Sequence, residues 1–197
     1  MDMKAMMAEQ MEEMLRDKYI QSMKAGYDLG ERRMVEWSKE WGEEFRREYY
    51  RRNLMDLGDG TKPVYFGIFL DEASRNALLD VLRGGIPDDW KIYTHHVTLA
   101  FGDPRRTYPE VEDYIVNNLG KTASIEVVSV GVSGDAIAVG VTGNFKTTNA
   151  VPHITIATPP DGKPVKSNFI TQWTPFHFHT ALRGVVDSYP SHFKWPH

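Results

Sequence analysis

Two tetrapeptides, His96-Val97-Thr98-Leu99 and His153-Ile154-Thr155-Ile156, repeat one pattern: histidine, β-branched apolar, threonine, apolar. Side chains alternate faces along a strand, so in each stretch the histidine and threonine point one way and the two apolar residues the other. The chain must therefore hold two strands that bury one face and present an imidazole and a hydroxyl on the opposite face. One such tetrapeptide is a weak signal. Two matched ones carry far more weight.

The flanking segments extend the pattern. Ala138 and Gly140 alternate with Ile137, Val139 and Val141, so one face is small and the other bulky. That contrast predicts room for a ligand beside the histidines. In the candidate strand Val64–Leu70, Gly67 sits between Tyr65 and Phe69 on one side.

The rest of the chain divides unevenly. All nine methionines fall at or before Met55, and Leu57-Gly58-Asp59-Gly60 is turn-like, which predicts a helical extension over 1–57 and a second domain over 62–197. Met3, Met7, Met11 and Met14 follow helical spacing, as do Met34, Trp37, Trp41, Phe45 and Tyr49 on a second helix, with Gly26 and Gly30 between them. These faces are expected to pack on the main domain or on a second copy, with a docking arm for another macromolecule as the other reading. Beyond Lys62 we expect a helix capped by Asp71 and stopped at Gly84-Gly85, and a strand over Thr94–Phe101. A helix should follow, opened by a capping box at Thr107-Tyr108-Pro109-Glu110 and closed by Gly120. A hairpin around Ser133-Gly134-Asp135, a strand over Pro152–Thr158 and further strands in Phe176–Ser188 complete an α+β fold with helices on the outer faces.

Composition excludes several functions. A net charge of -4 argues against a broad basic surface for long nucleic acid. With no cysteine, disulfides, thiolate zinc sites and cysteine nucleophiles are ruled out. The N-terminus is studded with charge and has no unbroken apolar run, so neither a signal peptide nor a membrane span is expected, and the chain reads as intracellular, in the cytoplasm.

The paired motifs resemble those of the two-histidine (2H) phosphoesterase superfamily. The resemblance runs from about Val64 to Ser188 and leaves out the N-terminal helices. It includes Val64-Tyr65-Phe66-Gly67-Ile68-Phe69-Leu70, Tyr93-Thr94-His95-His96-Val97-Thr98-Leu99, Gly162-Lys163-Pro164-Val165-Lys166-Ser167-Asn168 and Trp173. The branches it looks most like are phage anti-CBASS hydrolases of cyclic oligonucleotide messengers and the cyclic phosphodiesterase domain of fungal-type tRNA ligases. No ligase or kinase segment accompanies these residues, which favours the first.

The resemblance implies two pseudosymmetric lobes with antiparallel-rich sheets lining a central cleft. It also implies metal-independent cleavage with no cofactor, on a cyclic nucleotide or oligonucleotide or on RNA 3′ ends. His96 and His153 would exchange protons with the nucleophile and the leaving oxygen, and Thr98 and Thr155 would hydrogen-bond the phosphate. Water attacks a 2′,3′-cyclic phosphate. In a 3′–5′ linkage the adjacent 2′-hydroxyl attacks first. Which histidine is the acid stays open. A non-catalytic nucleotide-binding module is the reading from another class.

Tyr65 and Trp173 are candidates for stacking on a base, and Lys163 and Lys166 for meeting phosphate. His95 should face away from His96 and be structural. His177 and His179, spaced i, i+2 with Arg183 continuing their face, make a weak metal-ligand set without a carboxylate. The tail from Tyr189 to His197, with His192, is expected to be packed or frayed. No membrane partner is expected, and self-association is expected through the N-terminal helices.

Overall fold

The computed structural model describes residues 3–57, 59–105 and 107–191. Its chain separates into two compact units, 1–62 and 63–197. The sequence-expected tail beyond Ser191 lies outside the described residues. No helix among them is long and apolar enough to cross a membrane.

The first unit is a pair of helices, α1 (Met3–Ala25) and α2 (Gly30–Asn53). Arg33 Nε bonds Asp17 Oδ2 at 2.5 Å, and Arg52 Nη2 bonds Glu9 Oε1 at 2.6 Å, tying the two helices side by side. Gly42 lets them approach closely, since a Cβ there would lie 3.3 Å from Gln10 Nε2. On α2 the expected stripe is largely covered: Trp37 and Tyr49 are buried and Phe45 half-buried, but Trp41 is exposed. On α1 the methionine stripe is not the packed face. Met3, Met7 and Met11 are exposed, and the buried methionine is Met6. The reason is register: α2 lies along the face of α1 that carries Gln10 and Asp17, and Met6 shares that face by helical spacing.

The second unit is α+β. Its strands are β1 (Tyr65–Leu70), β2 (Lys91–Ile92), β3 (His96–Phe101), β4 (Thr122–Val132), β5 (Ile137–Thr142), β6 (His153–Thr158), β7 (Trp173–Pro175) and β8 (Leu182–Tyr189). Every pairing is antiparallel. The sheet runs β2-β6-β3-β1-β8-β4-β5, and β5 also pairs β6, so six strands close into a ring with β2 and β7 added at its rim. Closure satisfies the backbone groups that a free edge would leave open.

Alternation explains the core. Phe66, Ile68, Val97, Leu99, Ile125, Val139, Ile154, Ile156, Leu182 and Val186 are fully buried on successive strands. Helices α3 (Glu72–Leu82) and α4 (Pro109–Asn118) bring Leu78 and Ile115 into the same interior. Each such side chain contributes about 1.5–3 kcal/mol of transfer free energy. Asp71 caps α3 as expected, its carboxylate accepting the Ser74 N–H at 2.8 Å. The capping box at Thr107 does not form. Tyr108 occupies the cap without a side-chain bond and Pro109 starts the helix, because its fixed φ suits the first turn. The last strands also differ from expectation, with β7 earlier than Phe176 and β8 starting at Leu182. His177 and His179 therefore lie on an exposed loop and share no strand face with Arg183.

Candidate active site

The pairing of β3 with β6 is centred on Val97 opposite Ile154. One step either way along this antiparallel register sets His96 opposite Thr155 and Thr98 opposite His153. Each motif's histidine thus faces the other motif's threonine, with a local pseudo-twofold through the central pair. The four side chains share one face and line a cavity of about 570 Å³. Tyr65, Tyr93, His95, Phe101, Asn149, Pro164, Val165, Asn168 and Tyr189 complete its wall.

His96 is held by aromatic stacking. Its ring lies 4.8 Å from that of Tyr65 and 5.4 Å from that of Phe69, and Tyr65 stacks in turn on Tyr189 at 5.4 Å. Gly67 makes this arrangement possible. A Cβ there would lie 2.8 Å from the Val97 carbonyl oxygen and 3.4 Å from His96 Cδ2. Burial, with added repulsion from His95 and His153, pushes the His96 pKa down to about 4.

His153 is anchored differently. Its Nδ1 lies 2.7 Å from the Val151 carbonyl oxygen, so Nδ1 carries the proton and Nε2 is left for chemistry. Burial lowers its pKa too, opposed by that carbonyl, which favours the charged ring.

The threonines are also unequal. Thr98 Oγ1 makes no hydrogen bond among the described residues, while its carbonyl accepts from Thr147 Oγ1 at 2.7 Å. Thr155 Oγ1 lies 2.8 Å from Ser167 Oγ and 3.4 Å from the Pro164 carbonyl oxygen.

Among the described residues, no lysine, arginine or carboxylate lines the cavity, and the only cation they can supply to its wall is an imidazolium. An arriving phosphate would raise the histidine pKa values by opposite charge. No group of three or more histidine or acidic side chains among the described residues is placed to hold a metal ion.

The structure disposes the other expected residues in several ways. Tyr65 lines the cavity. Trp173 does not: its indole N–H donates to the Ile170 carbonyl at 3.1 Å, and its ring packs on Ala136, Ala138 and Ile170. It also covers Gly131, where a Cβ would lie 2.9 Å from Trp173 Cε3. The small face of β5 is therefore filled by this indole, which sits 6.1 Å from the His153 ring, and is not open to ligand as expected. Lys163 is exposed and lies outside the cavity wall, and Lys166 pairs with Asp135 at 3.9 Å.

His95 does line the cavity. The strand starts only at His96, after Thr94 at φ 51°, so the alternation that would have turned His95 away does not reach it. Thr94 is fully buried, its hydroxyl without a partner among the described residues, while its N–H donates to the Thr155 carbonyl. Sequence reasoning missed Tyr93, Phe101, Asn149, Asn168 and Tyr189. Of these, Tyr93, three residues before His96, and Phe101, two after Leu99, adjoin a motif closely enough to have been flagged.

Neither a family model nor a curated protein matches this chain. Among solved structures it is similar to a crystal structure of a fungal RNA kinase, at a TM-score of 0.48 and 16% identity. That similarity covers 68% of this chain and 47% of the kinase chain.

Proposed function

We propose that this chain is a phosphodiesterase of the 2H type that cleaves 3′–5′ linkages in cyclic oligonucleotides, with no metal or cofactor. The observation that carries the reading is the Val97–Ile154 register, which brings two imidazoles and two hydroxyls to one cavity wall. His96, largely neutral because of its lowered pKa, takes the proton from the ribose 2′-hydroxyl. The 2′-oxygen attacks phosphorus and the bond to the 5′-oxygen breaks. His153, whose charged form the Val151 carbonyl favours, donates a proton to that leaving oxygen. Water then opens the 2′,3′-cyclic phosphate with the roles exchanged: His153 takes the water proton and His96 protonates the departing 2′-oxygen. Thr98 and Thr155 donate to the non-bridging oxygens.

Aromatic side chains on the cavity wall support a substrate that carries bases. Phe101 and Tyr189 are exposed on the cavity wall, whereas the Tyr65 ring already stacks on His96 and on Tyr189. Tyr93, whose N–H bonds the Ile156 carbonyl, stands beyond the His96–Thr155 end of the quartet. A base bound in the cavity would then find a ring to stack on, each stack worth about 1–3 kcal/mol.

The test is a chromatographic product assay in EDTA, using cyclic di- and trinucleotides, nucleoside 2′,3′-cyclic monophosphates and an RNA oligomer ending in a cyclic phosphate. Cleavage of the cyclic oligonucleotides is expected. Loss of only the terminal cyclic phosphate would make the chain an RNA-end enzyme instead, and binding without products would make it a nucleotide-binding module. His96→Ala and His153→Ala should each cut kcat by roughly a hundredfold or more while leaving the circular dichroism spectrum unchanged. Full activity in either variant would sink the assignment.

A further inference from the structure

We propose that Ser167 is a positioning residue. When a phosphate binds, its hydroxyl gives a hydrogen bond to Thr155 Oγ1 and so turns the Thr155 proton toward the phosphate. The proposal rests on the phosphodiesterase reading above. Ser167 is 1% exposed, on a 3₁₀ turn (Pro164–Phe169) that follows β6. It lies outside the two motifs.

The argument is a count of protons. Ser167 Oγ donates to the Pro164 carbonyl at 2.9 Å and lies 2.8 Å from Thr155 Oγ1. Each hydroxyl has one proton to give. With the serine proton on Pro164, the contact between the two oxygens is attractive only if threonine supplies its own. Thr155 then presents only lone pairs to the cavity, and an anionic phosphate oxygen placed there would be repelled.

One rotation removes the conflict. If the Ser167 O–H swings from the Pro164 carbonyl to Thr155 Oγ1, the Thr155 O–H is released to the cavity. No proton leaves its oxygen and no heavy atom has to move. A neutral hydrogen bond to Pro164 is exchanged for a charge-assisted one to phosphate, a class roughly twice as strong. Among the described residues Thr98 has no such neighbour, so the relay belongs to one half of the pseudosymmetric quartet.

The experiment uses the full chain as wild type, Ser167→Ala, Thr155→Val and the double variant. With the cyclic oligonucleotide that the wild type cleaves, Ser167→Ala should lower kcat about tenfold, short of the hundredfold or more that losing a direct donor costs. KM should also rise, since the released Thr155 proton already meets the phosphate in the bound substrate. In the Thr155→Val background the same serine substitution should change nothing further. An equal loss in both backgrounds would mean a merely structural serine and would overturn the relay. The four proteins are also titrated with inorganic phosphate by calorimetry, which does not depend on turnover. If no substrate is cleaved but Ser167→Ala weakens phosphate binding only when Thr155 is present, the relay stands and the phosphodiesterase reading falls. Equal phosphate affinity in all four proteins overturns the relay whatever the assay shows.

Discussion

His96 and His153 occupy matching positions in the two motifs, yet their surroundings differ in a way that divides their chemistry. One ring is stacked among Tyr65 and Phe69, and the other is tied by Nδ1 to a carbonyl. Burial first, then repulsion from His95 and His153, takes His96 down to about 4, and burial takes His153 below its usual 6.5. A base must be neutral and an acid protonated, so kcat/KM requires a pH above the first value and below the second. The pH profile of kcat/KM should therefore be bell-shaped, with its acid limb near 4 and its alkaline limb below 6.5. Because the two rings repel each other, these limbs belong to the pair and not to either residue. An acid limb at or above 6.5 would show that the empty-site environment does not govern the free enzyme.

Among the elements, β3 and β6 carry the quartet, and the fit of β1 against β3 depends on a missing side chain. The register between β1 and β3 shifts at Phe66/Gly67, beside the point where a Cβ would run into the Val97 carbonyl. Gly67→Ala must push the strands apart, and overpacking of this kind costs about 1–3 kcal/mol. The expected result is a lower denaturant midpoint together with lower kcat, because the His96 ring rests on the same spot. An unchanged midpoint would mean that the sheet absorbs the methyl group. The strand segments themselves were legible, since β3 and β6 alternate histidine and threonine with aliphatic residues and β5 alternates small with bulky ones. What failed at this scale was the ends. The bend at Thr94 and the Tyr108 cap depend on bonds to distant or non-obvious partners, such as the Thr94 N–H to the Thr155 carbonyl, and periodicity carries no sign of these.

For the molecule as a whole, charge and assembly are the open matters. A net charge of -4, and a cavity wall without lysine or arginine among the described residues, leave little long-range attraction for a polyanion. Raising salt from about 50 to about 200 mM should therefore change KM by about threefold or less, as for a single phosphate contact. A steeper dependence would reveal cationic contacts outside the cavity. In the N-terminal unit, Met3, Met7 and Met11 stand exposed along α1. Exposed apolar surface of this kind supports the proposal that these helices mediate self-association. Sedimentation of the full chain should then show a mass that rises with concentration and falls back to the monomer in Met7→Lys/Met11→Lys. A monomer at every concentration would remove that role.

Strand alternation by itself determined the α+β character, the two His-x-Thr faces and the aliphatic residues behind them, because a period of two is a local property of the chain. Composition by itself excluded thiol chemistry, since the chain has no cysteine. Only the tertiary structure decided that the two motifs become neighbours, through a β3–β6 pairing between segments far apart in sequence. Ring closure brought Tyr189 from β8 onto Tyr65 and carried Trp173 onto the small face of β5, where it took the space that had looked open to ligand. The Val151 carbonyl and the Ser167 hydroxyl reached the quartet from loops flanking β6. Local patterning says which way a side chain points. Which group it meets there, and hence its protonation and hydrogen bonding, depends on chain segments that come together only when the sheet closes.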